Sequence, residues 1–446
     1  MDFPNFDLEF DKDGNIFQPG QLVEAIAALK QGNFTDVLIF SHGWNNDILD
    51  ARKLYEDFFN NAAEIQRSGE IKALDQRHFA VIKLFWPSKK FTDAELIPGG
   101  GAASFEESAP DDSILKQLDS LKTDTVSLGV EVSNTESSDL VEKAKSLLPD
   151  LESDEAARTQ FVLLLRSLLN PNESHPDDGS DEFFTTDPEL ILKAFSEPVL
   201  LQPETTGGGS ALALDGDATA SFGDVFGGIK EGVRRILNYT TYYKMKERAG
   251  NVGRVGLAPV LQQIREQFPD IRIHLIGHSF GGRVVTAAAH ALADAISIQT
   301  LTLLQAAYSH NGLAAKFDGL HDGAFRSLLE RMPRPVSGPI SITYTRNDQA
   351  VGVAYPLASR LSQDQAAALG DANDPYGGMG RNGAQHTPEA LADISLSAAG
   401  AIKDGQPLTF ENGKVHNIES SAYISEHGDV TNRSVAYLTL TAVATS

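Results

Sequence analysis

"IRIHLIGHSFGGRVVTAAAH", residues 271–290, changes character in its middle. The first seven residues alternate apolar and polar side chains, as a strand does, and residues 281–290 are small and alanine-rich, as in a closely packed helix. Between them stands Gly277-His278-Ser279-Phe280-Gly281. A serine hydroxyl is a poor nucleophile near neutral pH. It needs a base to take its proton and donors to hold the oxyanion that forms. A sharp strand-to-helix turn meets the steric part of that demand, because it lifts Oγ above the sheet edge and aims the next N–H at an incoming carbonyl. Gly277 and Gly281 suit positions where a Cβ would clash, and the positive end of the following helix points at the same place. Gly282 and the alanines let that helix approach the sheet. The five-residue pattern alone is common; the strand before it and the helix after it make Ser279 a candidate nucleophile rather than a small residue in a tight turn.

Outward from this stretch, "DVLIFSH" (36–42), "FAVIKLFW" (79–86), "ISITYT" (340–345) and "SIQTLTLL" (297–304) read as further buried strands. Amphipathic helical patterns fall between several of them, at 48–67 and 256–268. Strands alternating with helices predict a mostly parallel sheet covered on both faces.

Composition narrows the function. The chain has 446 residues, 41% of them hydrophobic, within reach of one large α/β domain with insertions. No apolar run approaches the roughly 18–20 residues of a membrane span. There are no cysteines, which excludes disulfides, thiolate metal sites and cysteine nucleophiles. The formal net charge of −24 argues against a nucleic-acid partner and against docking to anionic membranes. The acidic opening "MDFPNFDLEFDKDGN" shows no basic segment followed by an apolar one. The expectation is a cytoplasmic protein, with signal-free export or a mature secreted form left open.

Residues 91–238 interrupt the alternation and hold much of the acidity: 29 Asp plus Glu against 10 Lys plus Arg, a net of −19. A solvated surface explains such acidity. The stretch enters through "PGGGAAS", carries helix-like pieces at 139–148 and 154–169, and leaves through "TTGGGSALALDGD". It reads as a largely helical insertion rather than an independent domain, with 1–90 and 239–446 forming the body. In residues 222–245, Phe222, Phe226, Ile229, Val233, Ile236 and Leu237 recur at near-helical spacing, either as ordinary core or as the wall of an acyl pocket.

"HLIGHSFGGRVV" resembles the nucleophile elbow of the α/β-hydrolase superfamily, in its serine esterase and lipase-like branch. The strand series resembles the same fold over roughly 34–90, 250–350 and 413–446. The resemblance implies a parallel sheet with helices on both faces, a triad in the order serine, acid, histidine, and no cofactor or metal. It implies an oxyanion site after an early strand, where His42-Gly43 in "VLIFSHGWNND" resembles the His-Gly turn of lipases and esterases. The backbone N–H groups of Trp44 and Phe280 would then be the donors. The Trp44 ring either walls the acyl pocket or packs in the core, and His42 is a weaker alternative base. The acid is expected after a later strand, and "PISITYTRNDQAVG" presents Asp348 there; Asp371, Asp374 and Asp322 are lesser candidates. The base is expected near the C-terminus. His427 sits in a loop beside Gly428, ahead of a final helix, whereas His416 lies in an alternating, strand-like run.

Three decoys are set aside. "GGMGRNG" carries glycines at 378, 380 and 383 in dinucleotide spacing but follows no strand. "DKDGN" (11–15) begins like a calcium loop and lacks its later positions, so it reads as a turn. "DGDATASFGD" reads as a solvated loop. The resulting expectation is a hydrolase acting on a small-molecule or lipid-like ester through an acyl-enzyme, with 91–238 as a lid or cap. An amidase or thioesterase would use the same groups, and a catalytically silent scaffold that binds a ligand or protein partner is the alternative from another class.

Overall fold

A computed structural model describes residues 2–44, 46–88, 110–127, 130–196, 228–348, 350–351, 375–395, 402–403 and 406–446. Its strands are β1 (Asn5–Glu9), β2 (Asp36–Ser41), β3 (Phe79–Phe85), β4 (Thr123–Ser127), β5 (Val130–Ser133), β6 (Arg272–His278), β7 (Thr300–Leu304), β8 (Ile340–Tyr344), β9 (Ile394–Ser395), β10 (Ile402–Lys403), β11 (Gln406–Pro407) and β12 (Val415–Glu419). Its α-helices are α1 (Pro19–Gln31), α2 (Ile48–Ser68), α3 (Pro110–Ser120), α4 (Thr135–Leu147), α5 (Glu155–Arg166), α6 (Ser180–Thr185), α7 (Pro188–Ser196), α8 (Ile229–Asn251), α9 (Ala258–Gln267), α10 (Phe280–His290), α11 (Ser327–Glu330), α12 (Met379–Asn382) and α13 (Arg433–Thr445).

Eight strands form one sheet in the order β1-β3-β2-β6-β7-β8-β12-β9. Every pairing in it is parallel. The five expected strands are all present; four are shifted by at most one residue at an end, and the one expected at 297–304 begins three residues later, at Thr300. β1 was not foreseen. It carries only the short alternation of "NFDLE" at a sheet edge, three of its five residues partly exposed. The strands β2 and β3 are buried along their whole length, because helices cover both faces of the sheet.

The pleat sorts side chains between those faces. Val37, Ile39, Ile82, Ile273, Leu275, Leu301 and Ile342 point into a core shared with α9, α10 and the end of α8. Leu38, Phe40, Val81, Phe85, Ile276 and Leu304 point the other way, onto α2 and α13. The start of α2 is fixed by a capping box in which Asp47 accepts from the Leu49 and Asp50 N–H groups, and its end by Gly69 at φ 67°.

Helices α3, α4, α5 and α7 of the stretch expected as an insertion, together with α8 as far as Tyr243, beyond the expected boundary at 238, surround a core of their own, with Leu118, Phe161, Leu165, Phe183, Phe195, Ile236 and Tyr243 fully buried. The antiparallel pair β4–β5 adds to the helices expected there. The later residues of α8, Met245 and Ala249, enter the body core. From α8 the chain runs through a π-helical turn, Val252–Leu257, directly into α9. Gly253 in that turn lets it lie on α10; a Cβ there would fall 2.3 Å from the Val284 carbonyl oxygen. The glycine-rich segments at 98–104 and 205–217, and Phe222 and Phe226, lie outside the described residues.

Candidate active site

Ser279 follows the last residue of β6 and precedes the first of α10. Its φ of 56° and ψ of −126° are strained for a residue with a Cβ, which costs on the order of 1–3 kcal/mol. The turn on either side of it is tightly packed. A Cβ on Gly277 would meet the Gly281 carbonyl oxygen at 2.4 Å, and one on Gly281 would meet the Ser41 carbonyl oxygen at 2.1 Å. The serine main chain is tied to the end of β7, donating from N to Leu304 O at 3.0 Å and accepting from Ala307 N at 3.0 Å.

His427 comes to this serine from the segment between β12 and α13. Its Nε2 lies 2.8 Å from Ser279 Oγ, and its Nδ1 lies 2.8 Å from Asp348 Oδ2. Asp348 follows β8, as the sequence led one to expect, and is fully buried. Burial works against a charged His427, but the charge and hydrogen bond of Asp348 outweigh it and raise its pKa above the ordinary histidine value. The carboxylate favours hydrogen on Nδ1, which leaves the Nε2 lone pair facing the serine hydroxyl.

The loop after β2 abuts the elbow. A Cβ on Gly43 would fall 2.6 Å from Ser279 Cβ, and the Trp44 ring meets Phe280 edge-on at 5.6 Å. Among the described residues, neither the Trp44 nor the Phe280 backbone N–H donates a hydrogen bond. His42 supports this loop. Its Nε2 accepts from Trp86 N at 3.3 Å, so its Nδ1 carries the hydrogen and donates to Gly43 O at 2.8 Å. Its ring stacks on Trp86, its N–H donates to Tyr55 Oη at 2.8 Å, and burial lowers its pKa to about 4. Both ring nitrogens are committed, so His42 is not available as a base for Ser279.

The lesser candidates lie elsewhere. His416 is buried on β12 opposite Ser341, with Nε2 accepting from Glu411 N at 3.0 Å and its ring edge-on to Phe410. Asp322 is exposed and accepts from Lys316 N. Asp371 and Asp374 lie outside the described residues. At 11–15, Asp11 takes the Asp13 and Asn15 N–H groups in a turn of its own.

Several supporting residues escaped the sequence. Gln305, at φ 46° just past β7, points its amide at Asp348 Oδ2, 3.5 Å away, and donates to Gly380 O at 2.9 Å. Thr343 Oγ1 holds the other end of that amide at 2.8 Å. Gly380 of "GGMGRNG" thus serves close packing: a Cβ there would sit 2.5 Å from the Gln305 carbonyl carbon. Asn347 Nδ2 donates to Ile424 O at 2.8 Å and ties the acid loop to the segment leading to His427. Only a strand-end amide or asparagine next to the acid hinted at these contacts, and nothing in the pattern named their partners. No group of metal-ligating side chains occurs among the described residues. No helix among them is long and apolar enough to cross a membrane. No protein-family model matches this chain, and no curated protein is similar to it.

Proposed function

We propose that this protein is an α/β hydrolase that cleaves carboxylic esters through an acyl-enzyme. The observation that carries this reading is the chain of two 2.8 Å contacts from Ser279 Oγ through the His427 ring to buried Asp348, set on a strand-to-helix turn. Ser279 Oγ attacks the ester carbonyl carbon as His427 Nε2 takes its proton. The carbonyl oxygen, now negative, is met by the Trp44 and Phe280 N–H groups and by the positive end of α10. Collapse of the tetrahedral adduct breaks the bond to the alkoxy oxygen, and His427 returns the proton to the leaving alcohol. A water then attacks the acyl-serine with His427 again as base, releasing the acid and restoring Ser279. Asp348 stays ionised and stabilises the imidazolium.

The insertion is read as a cap on this site. Support comes from a run of rings that leads from the elbow toward the insertion core: Phe280 to Tyr242 at 5.3 Å, Tyr242 to Tyr239 at 6.4 Å, Tyr239 to Phe183 at 4.7 Å. The substrate class that suits such surroundings is a small or lipid-like ester. Labelling with a small fluorophosphonate, followed by peptide mapping, tests the proposal. A Ser279 adduct together with turnover of nitrophenyl esters is expected; a folded protein with neither would overturn it.

A further inference from the structure

His278 is the elbow residue that this chemistry leaves unused. It ends β6 and is 5% exposed. Its Nε2 lies 3.0 Å from the backbone carbonyl oxygen of His427, and the two rings are 5.0 Å apart. A carbonyl only accepts, so His278 Nε2 carries the hydrogen and Nδ1 the lone pair. Among the described residues Nδ1 has no partner, and it lies 3.2 Å from where a Cβ on Gly43 would stand. Burial, reinforced by His427, lowers its pKa to about 3, so the ring is a neutral donor near neutral pH. A cationic donor in its place would repel the imidazolium that forms on His427.

The ring of His427 is gripped by Asp348 and Ser279, yet its own main chain is on a short surface segment. Among the described residues, the His278 donation is the hydrogen bond made to the His427 backbone. Ser279 and His278 are consecutive, so one rigid stretch of chain holds both the ring and the backbone of His427. We propose that His278 is a positioning residue that locks the His427 backbone, keeping its Nε2 in reach of Ser279 Oγ. This rests on the hydrolase reading above. A displacement of about 1 Å at a reacting pair is enough to cost on the order of 100-fold in rate.

The test compares His278→Phe, which fills the space without a donor, with His278→Gln, which restores an N–H at similar reach. The readouts are kcat and KM for a nitrophenyl ester, the rate of Ser279 phosphonylation, and thermal midpoints. His278→Phe should lower kcat and phosphonylation about 10–100-fold with KM nearly unchanged, and His278→Gln should recover most of the loss at a similar midpoint. Wild-type rates in His278→Phe, or equal losses in both variants, overturn the proposal. Nitrogen NMR of the wild-type protein decides it even where a variant fails to fold: hydrogen on Nε2 at neutral pH is expected, and hydrogen on Nδ1 or a charged ring overturns it. Wild-type protein that gives no Ser279 adduct sinks the hydrolase reading and the His278 role with it. Normal wild-type labelling with unaffected variants sinks the His278 role alone.

Discussion

At the scale of single residues, the contacts of Ser279, His427 and Asp348 lead to separable outcomes. Ser279→Ala should lower kcat on the order of 10⁴–10⁶-fold while leaving the fold intact; near-normal ester turnover by the folded variant would remove the nucleophile assignment. Asp348→Asn should cost about 10⁴-fold by favouring the wrong histidine tautomer. The pH dependence has a definite sign. In the proposed mechanism His427 must be neutral to accept a proton, and although burial lowers its pKa, Asp348 raises it above the ordinary value. The acid limb of kcat/KM should therefore rise through a value above the ordinary histidine pKa of about 6.5. The same pair stabilises the fold fully below the unfolded pKa and loses that contribution as pH climbs through the raised one. A limb centred below 6, measured at fixed ionic strength, would contradict this pairing.

Elements decide which histidine and which glycine matter. His416 is held on β12, while His427 lies between β12 and α13, where the chain can turn its ring over the elbow. His427→Ala should be as damaging as losing Ser279, whereas His416→Ala should lower the thermal midpoint and leave kcat within a few-fold. The two glycines facing the elbow should fail differently. A Cβ at Gly281 would press on backbone oxygens of the β2 end, so Gly281→Ala should not fold stably. A Cβ at Gly43 meets Ser279 Cβ, which displaces the loop carrying the Trp44 N–H. If the Trp44 N–H is the oxyanion donor proposed above, Gly43→Ala should fold and lose about 10²–10³-fold in kcat, the usual effect of one lost donor. Equal kcat in wild type and Gly43→Ala would remove this loop from the mechanism.

For the whole molecule, acid sensitivity follows from neutral histidines sealed in the core. Burial is the leading cause of the lowered pKa of His42, to about 4, and of His278 and His310, to about 3. His274, His290 and His416 are also lowered, against only His175 and His427 raised. The unfolded chain thus takes up more protons than the native one below about pH 6.5. Each deeply lowered histidine removes up to about 1.4 kcal/mol of stability per pH unit until its folded pKa is reached. Urea midpoints should fall steadily from pH 7 to pH 4.5; a flat profile would mean that these rings are hydrated in solution. The core around α8 also predicts what truncation does. Replacing 101–221 with a short linker would bare Val233, Ile236, Leu237 and Tyr243, at about 1.5–3 kcal/mol for each large side chain. Aggregation or a collapsed melting transition is expected, and a soluble, cooperatively folding truncation would show that α8 does not depend on that core.

The parallel α/β character was legible in the residues alone, because apolar strands alternating with helices need cover on both faces. The sequence also singled out the elbow, since glycines on either side of Ser279 mark a turn too crowded for a Cβ. Asp348 and His427 were legible as loop residues after late strands, with the resemblance supplying their order. Their distances come from folding, because Ser279 and His427 are 148 residues apart in the chain and meet through sheet order and loop anchoring. The same holds for Gln305, Gly380 and His278. Their side chains or backbone groups act on partners from other elements, and no local periodicity encodes which strand end will lie beside which loop.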